Sequence, residues 1–238
     1  MKEKRFREVV GIYQYLVESG NEEWIQGAIK SAKSFMEGGE LQKAGYLYVS
    51  LVKFGNEEGI QGAITCIDAL MKEKRFLEVV EIYPYLVESG NEEWIQGAIK
   101  CAEVLMKEKR FLLAGALYRS LVKFGNEEGI QGAIKCAEVL MKEKRFLEVV
   151  GIYPYLVESG NEEGIQGAIK CAEVLMKKRK SSLELVHLYQ YLVESGNEEG
   201  IQGAIKYTEV LMKKKRFREI VRIYQYIQNL SKRIPPTP

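Results

Sequence analysis

NEEGIQGAIKCAEVLMKEKRFLEVVGIYPYLVESG, from Asn126 to Gly160, is the stretch whose reading decides the fold. It splits into two helical halves. Asn126 is a good N-cap, and Glu127 and Glu128 follow in the first turn, where negative charge meets the positive helix end. Gly160 suits a left-handed C-cap that ends the second half. The internal break falls near Lys142–Arg145, whose lysines complement the C-terminal dipole of the first half. On a helical wheel, Ile130, Ala133, Ile134, Cys136, Ala137, Val139, Leu140 and Met141 cover more than half of the first helix, an arc wide enough for more than one neighbour. The second helix offers Phe146, Val149, Val150, Ile152, Tyr153, Leu156 and Val157. This pattern implies a first helix sandwiched between neighbours and more deeply buried than the second.

The unit recurs. GNEE begins at Gly20, Gly55, Gly90, Gly125, Gly160 and Gly196, at intervals of 35 residues with a last interval of 36. The extra residue falls within Met176–Val186, at the turn between helices, where an insertion costs little. A lone helical hairpin cannot bury these faces, whereas a stack can. The sequence therefore predicts an all-α solenoid, a right-handed superhelix of antiparallel helix–turn–helix repeats. It reads as one continuous array with a half repeat at 1–20, repeats at 21–55, 56–90, 91–125, 126–160, 161–196 and 197–232, and a disordered tail at 233–238. A longer period of two units is also visible. Trp24 and Trp94 stand where other units have Gly59, Gly129, Gly164 and Gly200, and the same two units close on SLVKFG in place of YLVESG. Pro84 and Pro154 fall inside second helices, and each is expected to kink or open its helix.

Composition narrows the function. With 46% hydrophobic and 29% charged residues the chain is a folded type, and its net charge of +2 creates no long-range field for nucleic acid or acidic lipid. No apolar run is long enough to cross a membrane, and the N-terminus has no signal-peptide core. Cys66, Cys101, Cys136 and Cys171 occupy one apolar helix site, spaced too far apart for disulfides, and read as small core residues in a reduced, cytoplasmic setting. His187 is the only His and Asp68 the only Asp, so no Ser-His-Asp set or His-rich metal site can be assembled. No cofactor motif is present. Enzyme activity thus has no support in the sequence.

The period and the helix–turn–helix pattern resemble tetratricopeptide and pentatricopeptide repeats. NEEW at Asn21–Trp24 and Asn91–Trp94 looks like the start of a tetratricopeptide repeat, and GELQKAGYLY at Gly39–Tyr48 is similar to the opening of that family's second helix. KRFLEVVEIYPYLVESG at Lys74–Gly90 looks like the second helix of a pentatricopeptide repeat. The tetratricopeptide resemblance implies that first helices line a concave surface that binds a protein or peptide. The residues placed there are Gln26, Lys30, Gln61, Gln96, Lys100, Gln131, Lys135, Gln166, Lys170, Gln202 and Lys206, a polar stripe interrupted by Thr65. A solvated face copied by duplication is the plainer account of the same stripe. The pentatricopeptide resemblance implies RNA binding instead. Its reading sites would fall near Ile95 and Lys100, and Ile reads bases poorly. Glu103, Glu138, Glu173 and Glu209 follow the stripe lysines and offset their charge, which argues against nucleic acid. A designed or purely structural repeat protein is a third reading.

Two further features stand out. Tyr15, Tyr85, Tyr155, Tyr191 and Tyr226 form an outer row on the second helices, best read as amphipathic packing. Met1 aligns with the start of a second helix, which leaves the Phe6–Val17 face without its partner helix. Self-association through that half repeat is expected on this ground.

Overall fold

The computed structural model describes residues 12–13, 15–177 and 183–233, with side chains through residue 230. Most of the N-terminal half repeat expected to self-associate, the insertion and the tail from residue 234 lie outside the described residues. Beyond helical residues at 12–13 and 15–18, the described residues form thirteen helices from Glu22 onward and no strand. Six long first-type helices begin at the Glu-Glu pairs: α1 Glu22–Glu37, α3 Glu57–Lys72, α5 Glu92–Lys107, α7 Glu127–Lys142, α10 Glu162–Lys177 and α12 Glu198–Lys213. Second-type helices alternate with them: α2 Leu41–Lys53, α4 Phe76–Glu88, α6 Phe111–Lys123, the broken pair α8 Phe146–Val149 and α9 Tyr153–Glu158, α11 Leu183–Glu194, and α13 Phe217–Arg233.

The chain divides into two compact units, Met1–Glu108 and Lys109–Pro238. The first holds α1 to α5 and the second α6 to α13. Within each, a helix packs on the next in sequence, and several also pack on the next but one. Each unit is thus a stack of helix pairs, as the solenoid reading requires.

Local chemistry starts and stops each helix where the sequence indicates. Asn126 Oδ1 accepts the Gly129 N–H at 2.7 Å, and Asn56 does the same for Gly59 at 2.7 Å. These bonds satisfy amides that the helix itself cannot. At the end of α7, Arg145 N–H donates to Leu140 O at 2.9 Å and Lys144 N–H to Met141 O at 3.1 Å. That is the paired closure of a Schellman cap, and it places Lys144 at φ 61°. Lys74, Lys109 and Lys215 take the same left-handed conformation, with Gly39 at the equivalent turn. An L-residue with a Cβ pays for this conformation where glycine does not.

The second-type helices pack as the wheel predicts: Phe146, Val149, Val150, Ile152, Tyr153, Leu156 and Val157 are all buried. The expectation that first helices are the more deeply buried is corrected. α2 buries nine of its 13 residues and α6 seven of 13, whereas α3, α5, α7 and α10 each bury six of 16. The physical reason is side-chain size. In α7 the small residues Gly129, Ala133, Cys136 and Ala137 make up four of the six buried, beside Ile134 and Leu140, and Ile130, Val139 and Met141 stay half-buried at the margins.

The two prolines behave differently. α4 runs unbroken through Pro84. Around Pro154 the helix opens, and Gly151 and Ile152 bond three residues back, to Glu148 O at 3.0 Å and Val149 O at 2.9 Å. Gly151 stands where α4 has Glu81. A proline that removes one bond is tolerated beside a good helix former, whereas the proline–glycine combination breaks the run.

A tyrosine of each second-type helix lies on a glycine of the following first-type helix. An added Cβ would meet the Tyr48 ring at 2.0 Å from Gly62, the Tyr118 ring at 2.1 Å from Gly132 and the Tyr153 ring at 2.8 Å from Gly167. A second glycine, one turn earlier, meets a leucine: a Cβ at Gly59 or Gly129 would lie 2.3 Å from Leu51 Cβ or Leu121 Cβ. Trp24 and Trp94 occupy this second position in their units. There the asparagine cap shifts by one amide, with Asn21 and Asn91 each accepting from the Glu two residues on at 2.9 Å. The tyrosine contact also loosens: Tyr83 Oη is 3.1 Å from a Cβ at Gly97, and nothing lies within 4 Å of one at Gly27.

Gly132→Ala is therefore expected to lower stability by roughly 1–3 kcal/mol through overpacking, and Gly27→Ala to raise it by about 0.5–1 kcal/mol through helix propensity. Urea unfolding of the two variants checks the opposite signs. Lys144→Gly should raise the unfolding midpoint, by about 0.5–1 kcal/mol in stability, because it removes the left-handed strain.

Candidate functional site

The stripe residues all lie on first-type helices, between the buried small-residue seam and the acidic first turns. Gln26, Lys30, Gln61, Lys100, Gln131, Lys135, Lys170, Gln202 and Lys206 are exposed, and Gln96 and Gln166 are half-buried. Thr65, at the lysine position of α3, turns its hydroxyl back to Gln61 O at 2.9 Å. Some of the glutamines bond within their own helix, Gln26 to Glu22 at 3.1 Å and Gln96 to Glu92 at 3.2 Å. Others link neighbouring helices. Gln166 Nε2 donates to Glu199 Oε2 at 3.2 Å across α10 and α12. In the first unit, Lys33 Nζ meets Glu58 at 2.5 Å across α1 and α3, both groups open to solvent.

These cross-links frame grooves between consecutive first-type helices. In the second unit, a groove of about 490 Å³ lies between α10 and α12. Ile169, Met176 and Ile205 supply its apolar surface, and Gln202, Lys206, Glu173, Glu199 and Glu209 its polar surface. Tyr189 of α11 also lines it, with a ring stacked on Tyr207 at 5.4 Å. Its hydroxyl is buried with no hydrogen-bond partner among the described residues. Burial, then the nearby Glu173, pushes that hydroxyl's pKa up, so it stays protonated. In the first unit, a groove of about 460 Å³ between α1 and α3 is lined by Gln26, Lys30, Lys33, Glu37 and Glu58 with Ile29. The stripe positions were legible in the sequence. The tyrosine floor and the bonds between helices were not, because they join residues from different repeats.

In the outer tyrosine row, Tyr85 and Tyr155 pack under cations of the preceding second-type helix, whereas Tyr15 is 73% exposed. Lys53 Nζ lies 4.6 Å from the Tyr85 ring centre, and Arg119 and Lys123 lie 5.5 and 5.1 Å from that of Tyr155. Such cation–π contacts tie one second-type helix to the next. They also give the lysine of SLVKFG a role that YLVESG cannot supply. Tyr46 Oη donates to Glu81 at 3.0 Å in the same layer of the first unit.

The four cysteines are free and buried. Burial raises the thiol pKa to about 11 for Cys66, where Arg75 partly offsets it, and to about 12 for Cys101, Cys136 and Cys171. A thiol without thiolate is neither a nucleophile nor a ligand at neutral pH. Among the described residues no three His, Cys, Asp or Glu groups converge on a metal position. No helix of the described residues is long and apolar enough to cross a membrane.

The repeated sequence and the all-helical stacking define a helical tandem-repeat protein. No protein-family model matches the sequence. No curated protein matches it either. Among solved structures the chain is similar to a "Circular tandem repeat protein with novel repeat topology and enhanced subunit contact surfaces". The TM-score is 0.49 at 16% identity, over 95% of this chain and 70% of that one.

Native thiols are expected to resist a thiol-reactive dye at pH 8, and all four to react once the chain is unfolded in urea. The same pKa shifts set an alkaline limit. A thiol raised in the folded state contributes stability that is fully present below its ordinary value of 9.0 and is lost as pH rises through about 11–12. Urea midpoints should hold steady up to about pH 9 and then fall; a midpoint that rises above pH 9 would contradict the burial.

Proposed function

We propose that the chain is a non-enzymatic, tetratricopeptide-like scaffold that binds a protein or peptide segment in the grooves between its first-type helices. The observation that carries this reading is the α10–α12 groove, whose apolar surface is rimmed by three glutamates, one glutamine and a lysine. That composition suits a peptide with a side chain to bury and polar groups to align. Ile169, Met176 and Ile205 exclude water, while Gln202 and Lys206 stand ready to hydrogen-bond backbone carbonyls or a carboxylate.

The test is selection from a random-peptide display library by the wild-type chain and by a variant with Glu173 and Met176, the groove residues of α10, changed to Lys. Peptides enriched by the wild type and lost by the variant support groove binding. Equal enrichment by both overturns it.

A further inference from the structure

The face that α12 and α13 share in the second unit differs from the interfaces inside it. On α13, Phe217, Val221 and Tyr224 are 63, 54 and 48% exposed, and on α12 Ile205 is 37% exposed. The equivalent residues earlier in the unit are buried: Phe111 and Phe146, Val150 and Val186, Tyr118, Tyr153 and Tyr189, and Ile134 and Ile169. The difference is what lies on them. Tyr118 is covered by α7 at Gly132, Tyr153 by α10 at Gly167 and Tyr189 by α12 at Gly203. Tyr224 holds the same place on α13, and among the described residues no first-type helix covers it.

We propose that this α12–α13 face docks an amphipathic helix of the chemistry of the chain's own first-type helices. Such a helix has an acidic first turn, then Ile, a glycine two residues on, Ala and Ile. The interfaces inside the unit specify each requirement. The glycine is demanded by the tyrosine ring, because a Cβ at Gly132 would lie 2.1 Å from Tyr118. An earlier glycine is demanded by the side chain at the Leu121, Leu156 and Leu192 position, which on α13 is Ile227. The acidic turn follows from Gln166, which donates to Glu199 of the following helix at 3.2 Å. Gln202, exposed on α12, stands at the Gln166 position. The face therefore continues an interface the fold already repeats, with one polar anchor and four apolar residues oriented for it. A second copy of the chain packing its own α13 on this face would bring bulky residues against Tyr224 and no glycine.

The probe is a fluorescent peptide with the sequence of Asn126–Lys142, titrated into the full chain and followed by anisotropy. Saturable binding is expected, lost at least tenfold with Val221→Lys or Tyr224→Ala in the chain and with Gly132→Leu in the peptide. The chain variants change exposed residues, and an unaltered circular dichroism spectrum confirms that they remain folded. No saturable binding up to millimolar peptide would overturn the proposal. So would equal binding of the Gly132→Leu peptide, or light scattering showing a dimer that Val221→Lys dissolves. Because the groove variant with Glu173 and Met176 changed to Lys leaves α12 and α13 untouched, it should bind this peptide as the wild type does. Failure of groove binding and failure of end docking are thereby told apart.

Discussion

The packing of a tyrosine ring on a glycine backbone is the contact on which the rest of the stack depends. Glycine in a helix interior costs about 1 kcal/mol relative to alanine, and the chain places one there in every repeat. The gain is distance. With no Cβ at Gly62 or Gly132, the rings of Tyr48 and Tyr118 lie against bare backbone, and the neighbouring Ala and Cys seam closes around them. Everything else described follows from that approach. In the second unit the same contact, Tyr189 against Gly203, lines the α10–α12 groove on whose rim Gln202 and Lys206 sit.

Much of this was legible in the sequence, for identifiable reasons. Caps were legible because Asn, the Glu pair and Gly act within one turn of the chain. The buried face of the second helices was legible because bulky apolar residues recur at helical spacing, and all seven in the Phe146–Val157 helix are buried. The first helices were misjudged because a wheel counts apolar residues without weighing their size. Ala133 and Cys136 go deep because they are small, while Val139 and Met141 are left at the margin. The prolines were treated alike although only Pro154 has a glycine three residues before it. The candidate site divides in the same way. Its polar rim is a column of equivalent residues that any alignment of repeats reveals. Its floor, Tyr189 beneath Gly203, belongs to two repeats and emerges only when they pack.

The longer period also acquires a cause. Glycine at the Gly59 or Gly129 position admits a leucine of the preceding helix to a distance at which a Cβ would lie 2.3 Å away, and both of those leucines come from SLVKFG helices. Behind the YLVESG helices the corresponding distances at Gly164 and Gly200 are 2.7 and 2.8 Å, and Trp24 and Trp94 follow helices of that type. SLVKFG is thus followed by glycine in both of its units, while YLVESG is followed by Trp24 and Trp94 or, at the wider spacing, by Gly164 and Gly200. Lys53 over Tyr85 and Lys123 over Tyr155 extend the match to the opposite layer.

That matching bears on how nearly identical units avoid exchanging partners. In a repeat chain, a helix can pair with the wrong copy of its neighbour, and such misassembly is a common failure of repetitive proteins. A displacement by one unit would bring Leu51 against Trp94, where the close approach is sterically closed. A displacement by two units would bring Leu51 against Gly129, like against like. From Trp24 to Gly129 the alternation of Trp and Gly therefore works as a parity check on assembly, whereas Gly164 and Gly200 continue the glycine and check nothing.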